Sequence, residues 1–252
     1  MIRVAAVGDV HVGLDSAGRL APRLAGLADH ADLFLLAGDL THRGRPEEAK
    51  VLAEELRGVG VPTVAVLGNH DYHSDEQDAV TEVLADAGVR VLEGDAVVLE
   101  VRGRRVGIAG SKGFGGGFAG ACASDFGEPE MKAFVAHTKS LAGRLERALG
   151  GLRGMDRKIA LLHYSPVAET LAGEPREIHP FLGSYLLAEA VDRAGADLVV
   201  HGHAHRGSRD GATPGGVPVR NVAAPVIGRA YEVFRFDADG GPGLISRPGA
   251  GW

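Results

Sequence analysis

Cysteine is almost absent from this chain: Cys122 stands alone among 252 residues. One thiol excludes an internal disulfide and fits a reducing, cytoplasmic setting. No apolar run approaches the length that spans a bilayer, so no membrane segment is expected. The opening MIRVAAVGDVH lacks a basic leader, a long apolar core and a cleavage site, and reads as a strand rather than a signal peptide. A positive excess is missing too. The formal charge of −6 argues against a broad nucleic-acid footprint, although a local basic patch stays compatible with it. Oligomeric state leaves no mark on the sequence. Glycine, by contrast, is plentiful at 38 residues, many beside His, Asp or Asn, which suggests tight loops around a polar site.

A repeated pattern organises the chain. Apolar runs end in polar tips at 2-IRVAAVGDVH-11, 33-LFLLAGD-39, 63-TVAVLGNHD-71, 158-KIALLHYSP-166 and 197-DLVVHGHAH-205. Short, nearly unbroken runs fit strands of a parallel sheet covered on both faces by helices. Between them, 46-PEEAKVLAEEL-56 has Pro46 and two acids in its first turn and a stripe of Ala49, Leu52, Ala53 and Leu56. The segment 184-SYLLAEAVDRAG-195 has Ser184 as N-cap and Gly195 as stop. Weaker helices are expected near 19–30, 75–87 and 130–149. The segment 89-VRVLEGDAVVLEVRGRRVGIAGS-111 has no helix to interrupt it and reads as antiparallel strands of a second sheet. The tail, 217–226 and 230–236, looks similar. With no repeat and no linker, residues 1–252 are expected to form one domain.

All five tips carry metal-binding groups: Asp9 and His11; Asp39; Asn69, His70 and Asp71; His163; and His201, His203 and His205. Any one of these is an ordinary loop residue or cap. Five strand ends of one sheet, however, would gather them into one crevice at the carboxyl edge. The donors are oxygen and imidazole, without thiolate, which suits Mn²⁺, Fe²⁺/Fe³⁺ or catalytic Zn²⁺ better than structural zinc.

The order 9-DVH-11, 38-GD-39, 68-GNHD-71, His163 and 202-GHAH-205 resembles the calcineurin-like metallophosphoesterase superfamily, over about four-fifths of the chain. The resemblance implies an α/β fold, a four-layer α/β/β/α sandwich with two central mixed sheets and two divalent metal ions at the strand ends. It assigns Asp9, His11 and His205 to one metal and Asn69, His163 and His203 to the other, with Asp39 bridging. His70 is implied to meet the phosphoryl group without binding metal, and Asp71 to orient it. His201 is left as a neighbour of the site. The implied reaction is direct hydrolysis by metal-bound hydroxide, without a phospho-enzyme. A bridging carboxylate suits two cations held about 3.5–4 Å apart. One departure stands out: many members carry Asp before the Arg-Gly of the second motif, whereas 38-GDLTHRG-44 has His42.

The Gly-rich 111-SKGFGGGFAGACASDFGEP-129 reads either as a rim over the metals or as a mobile surface loop. In the first case Lys112 would lie near a phosphate, and Phe114 or Phe118 would pack on a base or acyl group. His179 and Phe181 could line a substrate pocket, or His179 could be a satisfied structural histidine. His137 is expected to face solvent, Cys122 to be no nucleophile, and Arg220 and Asn221 to buttress the site or pair with backbone. The expected activity is hydrolysis of a small-molecule phosphoester. A phosphodiester is favoured because the complete ligand set with His70 resembles the superfamily's cyclic-nucleotide phosphodiesterases. The alternatives are a phosphomonoesterase or nuclease on the same site, or a metal-free scaffold, which would be expected to have lost ligands.

Overall fold

The structure, a computed structural model, describes residues 1–237 and the strand at 242–245. Its strands are β1 (Ile2–Val7), β2 (Leu33–Ala37), β3 (Thr63–Val66), β4 (Val89–Val91), β5 (Asp95–Val101), β6 (Arg104–Ser111), β7 (Gly117–Phe118), β8 (Ala121–Cys122), β9 (Arg157–Leu162), β10 (Leu198–His201), β11 (Asp210–Ala212), β12 (Pro218–Asn221), β13 (Glu232–Phe236) and β14 (Pro242–Ile245). One sheet runs β14-β13-β1-β2-β3-β4 and a second runs β11-β12-β10-β9-β6-β5. In the first sheet β1 to β4 are parallel, β13 runs against them and β14 runs against β13; in the second, β6, β9, β10 and β12 are parallel and β5 and β11 run against them.

Alternation of side chains builds the layers. In β1, Val4 and Ala6 face the other sheet, meeting Ile108, Ile159, Leu161 and Val200 in an apolar layer between the sheets. Ala5 and Val7 face outward, onto Leu52 of helix Pro46–Leu56 and Val80 and Leu84 of helix Gln77–Asp86. Across the molecule, Ala160, Leu162 and Val199 pack on helices Pro129–Gly151 and Tyr185–Ala194 through Leu145, Leu149, Leu187 and Val191. The result is the α/β/β/α sandwich, and it explains the unbroken apolar runs, since both faces of each central strand are buried.

The helices expected at 46–56, 75–87, 130–149 and 184–195 are present, with Ser184 accepting the Leu186 amide as N-cap at 3.3 Å. The region 19–30 holds only two single turns, Ala21–Leu24 and Leu27–His30.

Two expectations change. The five polar tips do not end strands of one sheet: β1, β2 and β3 belong to the first, β9 and β10 to the second. Their tips converge because the sheets lie face to face with their carboxyl ends at the same edge. The segment 89–111 is also divided. Val89–Val91 joins the first sheet parallel to β3, and only β5 and β6 form the antiparallel hairpin of the second. Of the tail, β12 runs parallel to β10, while β13 pairs antiparallel with β1 in the first sheet.

Candidate metal centre

The five strand ends deliver their side chains through unusual backbone. Asp9 (φ 59°), His11 (φ 43°), Asp39 (φ 49°) and His203 (φ 69°) all lie in the left-handed region, among only six described non-glycine residues that do. Such conformations cost about 1–3 kcal/mol each and persist where surroundings over-determine them. Here the surroundings are cross-strand hydrogen bonds. The Asp9 amide donates to Gly38 (2.9 Å), the His11 amide to Asp39 (3.0 Å) and the His70 amide to the Asp39 carboxylate (2.8 Å). Two glycines make room. A Cβ at Gly68 would collide with Asp39, and one at Gly202 with the Asp9 carboxylate.

Two clusters result, sharing one carboxylate. Asp9, His11, Asp39 and His205 bring donor atoms within 4.8 Å of one another, as do Asp39, His163 and His203. Both draw on the two sheets at once. The His205 Nε2 lies 2.9 Å from Asp9 Oδ1, and the His203 amide donates to both Asp9 oxygens at 3.0 Å. The His163 Nε2 lies 2.9 Å from Asn69 Oδ1 and 3.3 Å from Asp39 Oδ1.

The electrostatics fit divalent cations. His163 Nδ1–H donates to the Ala37 carbonyl at 2.9 Å. Burial holds this imidazole's pKa well below the usual histidine value, so its Nε2 carries a lone pair aimed at two oxygens. Converging lone pairs repel unless a cation lies among them. His11 is another mark: both ring nitrogens are buried without a hydrogen-bond partner among the described residues. Burial pushes its pKa down to about 4, leaving it neutral, the form that binds metal. Burial, with help from His163, pushes His203 to about 3. Its Nε2–H donates to the Phe181 carbonyl at 3.3 Å, which frees Nδ1 for the cluster. Burial and the nearby Asp39 push the Asp9 carboxyl up to about 6, against a lowering hydrogen bond from His205. A cation beside these carboxylates opposes both raising effects. The cluster is therefore able to hold metal, with donors for two ions.

His70 stands beside the clusters. Its Nε2 is 4.0 Å from Asp39 Oδ2, and its Nδ1–H donates to the His42 carbonyl at 2.9 Å. The orienting role expected of Asp71 is thus corrected. Asp71 is fully buried and turns away, accepting from the amides of Leu40 (3.1 Å), Thr41 (2.8 Å) and Gly68 (2.8 Å) and from the Thr41 hydroxyl (2.6 Å). It staples the second and third motifs together. His42 itself is exposed and stacks on the His70 ring at 6.2 Å. His201 is buried, held by the Gly202 carbonyl (2.8 Å) and the Thr170 hydroxyl (2.9 Å). Asn221 buttresses through backbone, donating to the Ala204 carbonyl at 2.8 Å.

Lys112 and Phe114 lie near the Asn69–His163–His203 side, since the Lys112 carbonyl accepts the amides of His163 (3.2 Å) and Tyr164 (3.0 Å). Phe114 packs on Phe134 (4.9 Å) and on His137 (4.7 Å), which is otherwise exposed as expected. Phe118 is buried among Leu171, Leu182 and Ala204, so it packs on protein. His179 joins neither cluster and bonds the Glu174 carbonyl at 3.3 Å, the satisfied alternative. Sequence reasoning missed Tyr72 and Tyr164, which flank Lys112 at 4.8 and 5.4 Å. Their one signal was adjacency to the motifs, in 71-DY-72 and 163-HY-164.

A four-layer sandwich with a carboxylate–histidine centre at its strand ends defines a class of metal-binding α/β proteins. Residues 2–207 match the model of the calcineurin-like phosphoesterase family, and the chain belongs to that family. No curated protein matches it. Among solved structures, it is similar to phosphopantetheinyl hydrolase (PptH) from Mycobacterium tuberculosis, with TM-score 0.64, 18% identity, and coverage of 87% of this chain and 88% of that one. TT1561 of Thermus thermophilus gives TM-score 0.58, 22% identity, and coverage of 92% and 93%. GAP50, the anchor in the inner membrane complex of Plasmodium, gives TM-score 0.58, 13% identity, and coverage of 92% and 80%. At these identities the likeness is one of fold.

Proposed function

We propose that this protein hydrolyses a phosphodiester of a small molecule at a centre of two divalent ions. Asp9, His11 and His205 would hold one ion, Asn69, His163 and His203 the other, and Asp39 would bridge. The observation that carries this reading is the pair of clusters sharing Asp39, with the His70 Nε2 4.0 Å from its Oδ2. Bound there, Mn²⁺, Fe²⁺/Fe³⁺ or Zn²⁺ would supply an activated water near neutral pH and positive charge for the phosphoryl oxygens.

The chain's own groups do the rest. The His42 carbonyl fixes the His70 tautomer with its proton on Nδ1, so Nε2 faces the site. When protonated, Nε2 donates to the leaving oxygen, which a diester needs because its alkoxide leaves poorly unprotonated. Asp71 keeps the two motif loops in register, holding His70 at this distance. That GAP50 is described as an anchor shows that the fold hosts other roles; the full donor set and His70 favour catalysis here.

A panel of cyclic nucleotides, dinucleotides, headgroup diesters, monoesters and single-stranded DNA, assayed with Mn²⁺, Fe²⁺ and Zn²⁺, tests the reading. Diesters are expected to turn over fastest. Exclusive turnover of monoesters or of DNA would replace it with the phosphatase or nuclease alternative. Failure to take up any metal would leave the scaffold.

A further inference from the structure

Lys112 is buried, with only 7% of its surface exposed, although it carries an ammonium group. Aromatic faces surround that ammonium. Its Nζ lies 4.8 Å from the centre of the Tyr72 ring, 5.1 Å from Phe114 and 5.4 Å from Tyr164. Among the described residues no carboxylate pairs with Nζ and no acceptor takes its hydrogens. Glu93 and Asp39 act on the ammonium through space, but neither carboxylate comes within ion-pair distance of Nζ; the Glu93 oxygens accept from the Ser111 hydroxyl (3.4 Å) and the Lys112 backbone amide (3.3 Å). The two phenols cannot substitute for it. Burial pushes both Tyr72 and Tyr164 up to about 12, so neither is a phenolate near neutral pH.

A desolvated ammonium with three unused N–H donors is costly, and cation–π contacts offset only part of the cost. Such a group is stabilised by an anion that arrives from outside. Its position narrows which anion. The cage shares a wall with the metal centre, since the Tyr164 ring packs 4.3 Å from the His203 ring. Yet Lys112 forms no ion pair with Asp39 or any other donor of the cluster, so it stands one group further out. Exposed Phe181 marks the open side: its carbonyl holds His203, and its ring lies 6.4 Å from Phe134, which packs on Phe114.

We propose that Lys112 is a specificity-determining residue that binds a second phosphate of the substrate, next to the phosphoryl group held at Asp39. The site would then select phosphoesters that contain a pyrophosphate-like pair of phosphates. This rests on the phosphoesterase reading above.

Calorimetric binding of AMP and ADP to the protein loaded with Mn²⁺ tests it, with metal content measured in the same samples. The intact protein should bind ADP more tightly than AMP. Lys112→Met, which keeps the stem, should weaken ADP by about 10- to 100-fold and AMP by less than about twofold. Replacing a buried charge by Met is usually tolerated. Lys112→Gln is the companion variant, and it must show the same split. Equal weakening of both nucleotides, or weakening of neither, would overturn the proposal while leaving the metal centre standing. A protein that takes up no Mn²⁺ and binds neither nucleotide would overturn the phosphoesterase reading and this proposal with it.

Discussion

The His70 ring is oriented by a main-chain carbonyl, that of His42, so no side-chain substitution removes its guide. Its function is therefore best tested at His70 itself. In His70→Ala, both metals should stay bound, while turnover of bis(p-nitrophenyl) phosphate falls by about 10²–10⁴-fold, the usual worth of a positioned acid. Metal analysis alongside the rate assay checks both parts. Asp39→Asn should behave differently, lowering metal occupancy itself, because it removes the charge between the two clusters. Asp71 belongs to a third category. Its carboxylate is spent on three amides and a hydroxyl, so Asp71→Asn should cost about 1–3 kcal/mol of stability, read by urea denaturation. An unchanged unfolding curve with lost turnover would return Asp71 to the role of orienting His70.

At the scale of elements, the ordered tips at 9–11, 38–39, 68–71, 163 and 202–205 were legible in sequence, and so were the long helices. Sheet membership was not. Strands buried on both faces carry no polar alternation, so β9 and β10 read like β1, β2 and β3 although they sit in the other sheet. Pairing is set by partners far away in the chain, as when β13 crosses back to β1. The direction of Asp71 was illegible for a local reason. It lies in the short 3-10 turn His70–Tyr72, where neighbouring side chains diverge, and adjacency to His70 misled. Tight loops also make a prediction. Gly202→Ala would press a Cβ into the Asp9 carboxylate, so it should weaken metal binding at least tenfold, about 1.4 kcal/mol, by titration. Helix content by circular dichroism should hold, since Gly202 lies beyond the end of β10.

For the whole molecule, buried histidines set the response to acid. Burial holds His201 down to about 4, whereas the unfolded chain titrates near 6.5. Below that value the unfolded state binds a proton that the folded state refuses. The contribution of this residue is complete above about pH 6.5 and declines as pH falls toward 4, by roughly 3 kcal/mol, while the raised Asp9 and Asp71 carboxyls act more weakly in the opposite direction. His11 adds in the same direction as His201. Urea denaturation of chelator-treated protein at pH 7 and pH 5 checks the sign, and equal midpoints would refute it. Metal should raise stability at pH 7 by mass action, about 2.7 kcal/mol at a hundred times the dissociation constant.

That each cluster takes donors from both sheets also sets a timetable for biosynthesis. Asp9, His11 and Asp39 are made early, but their cluster closes only with His205, and the other only with His203. A nascent chain on the ribosome therefore carries an open carboxylate pair until about four-fifths of it has emerged. Metal would therefore be held at both clusters only once the second sheet has brought His203 and His205 to Asp9 and Asp39.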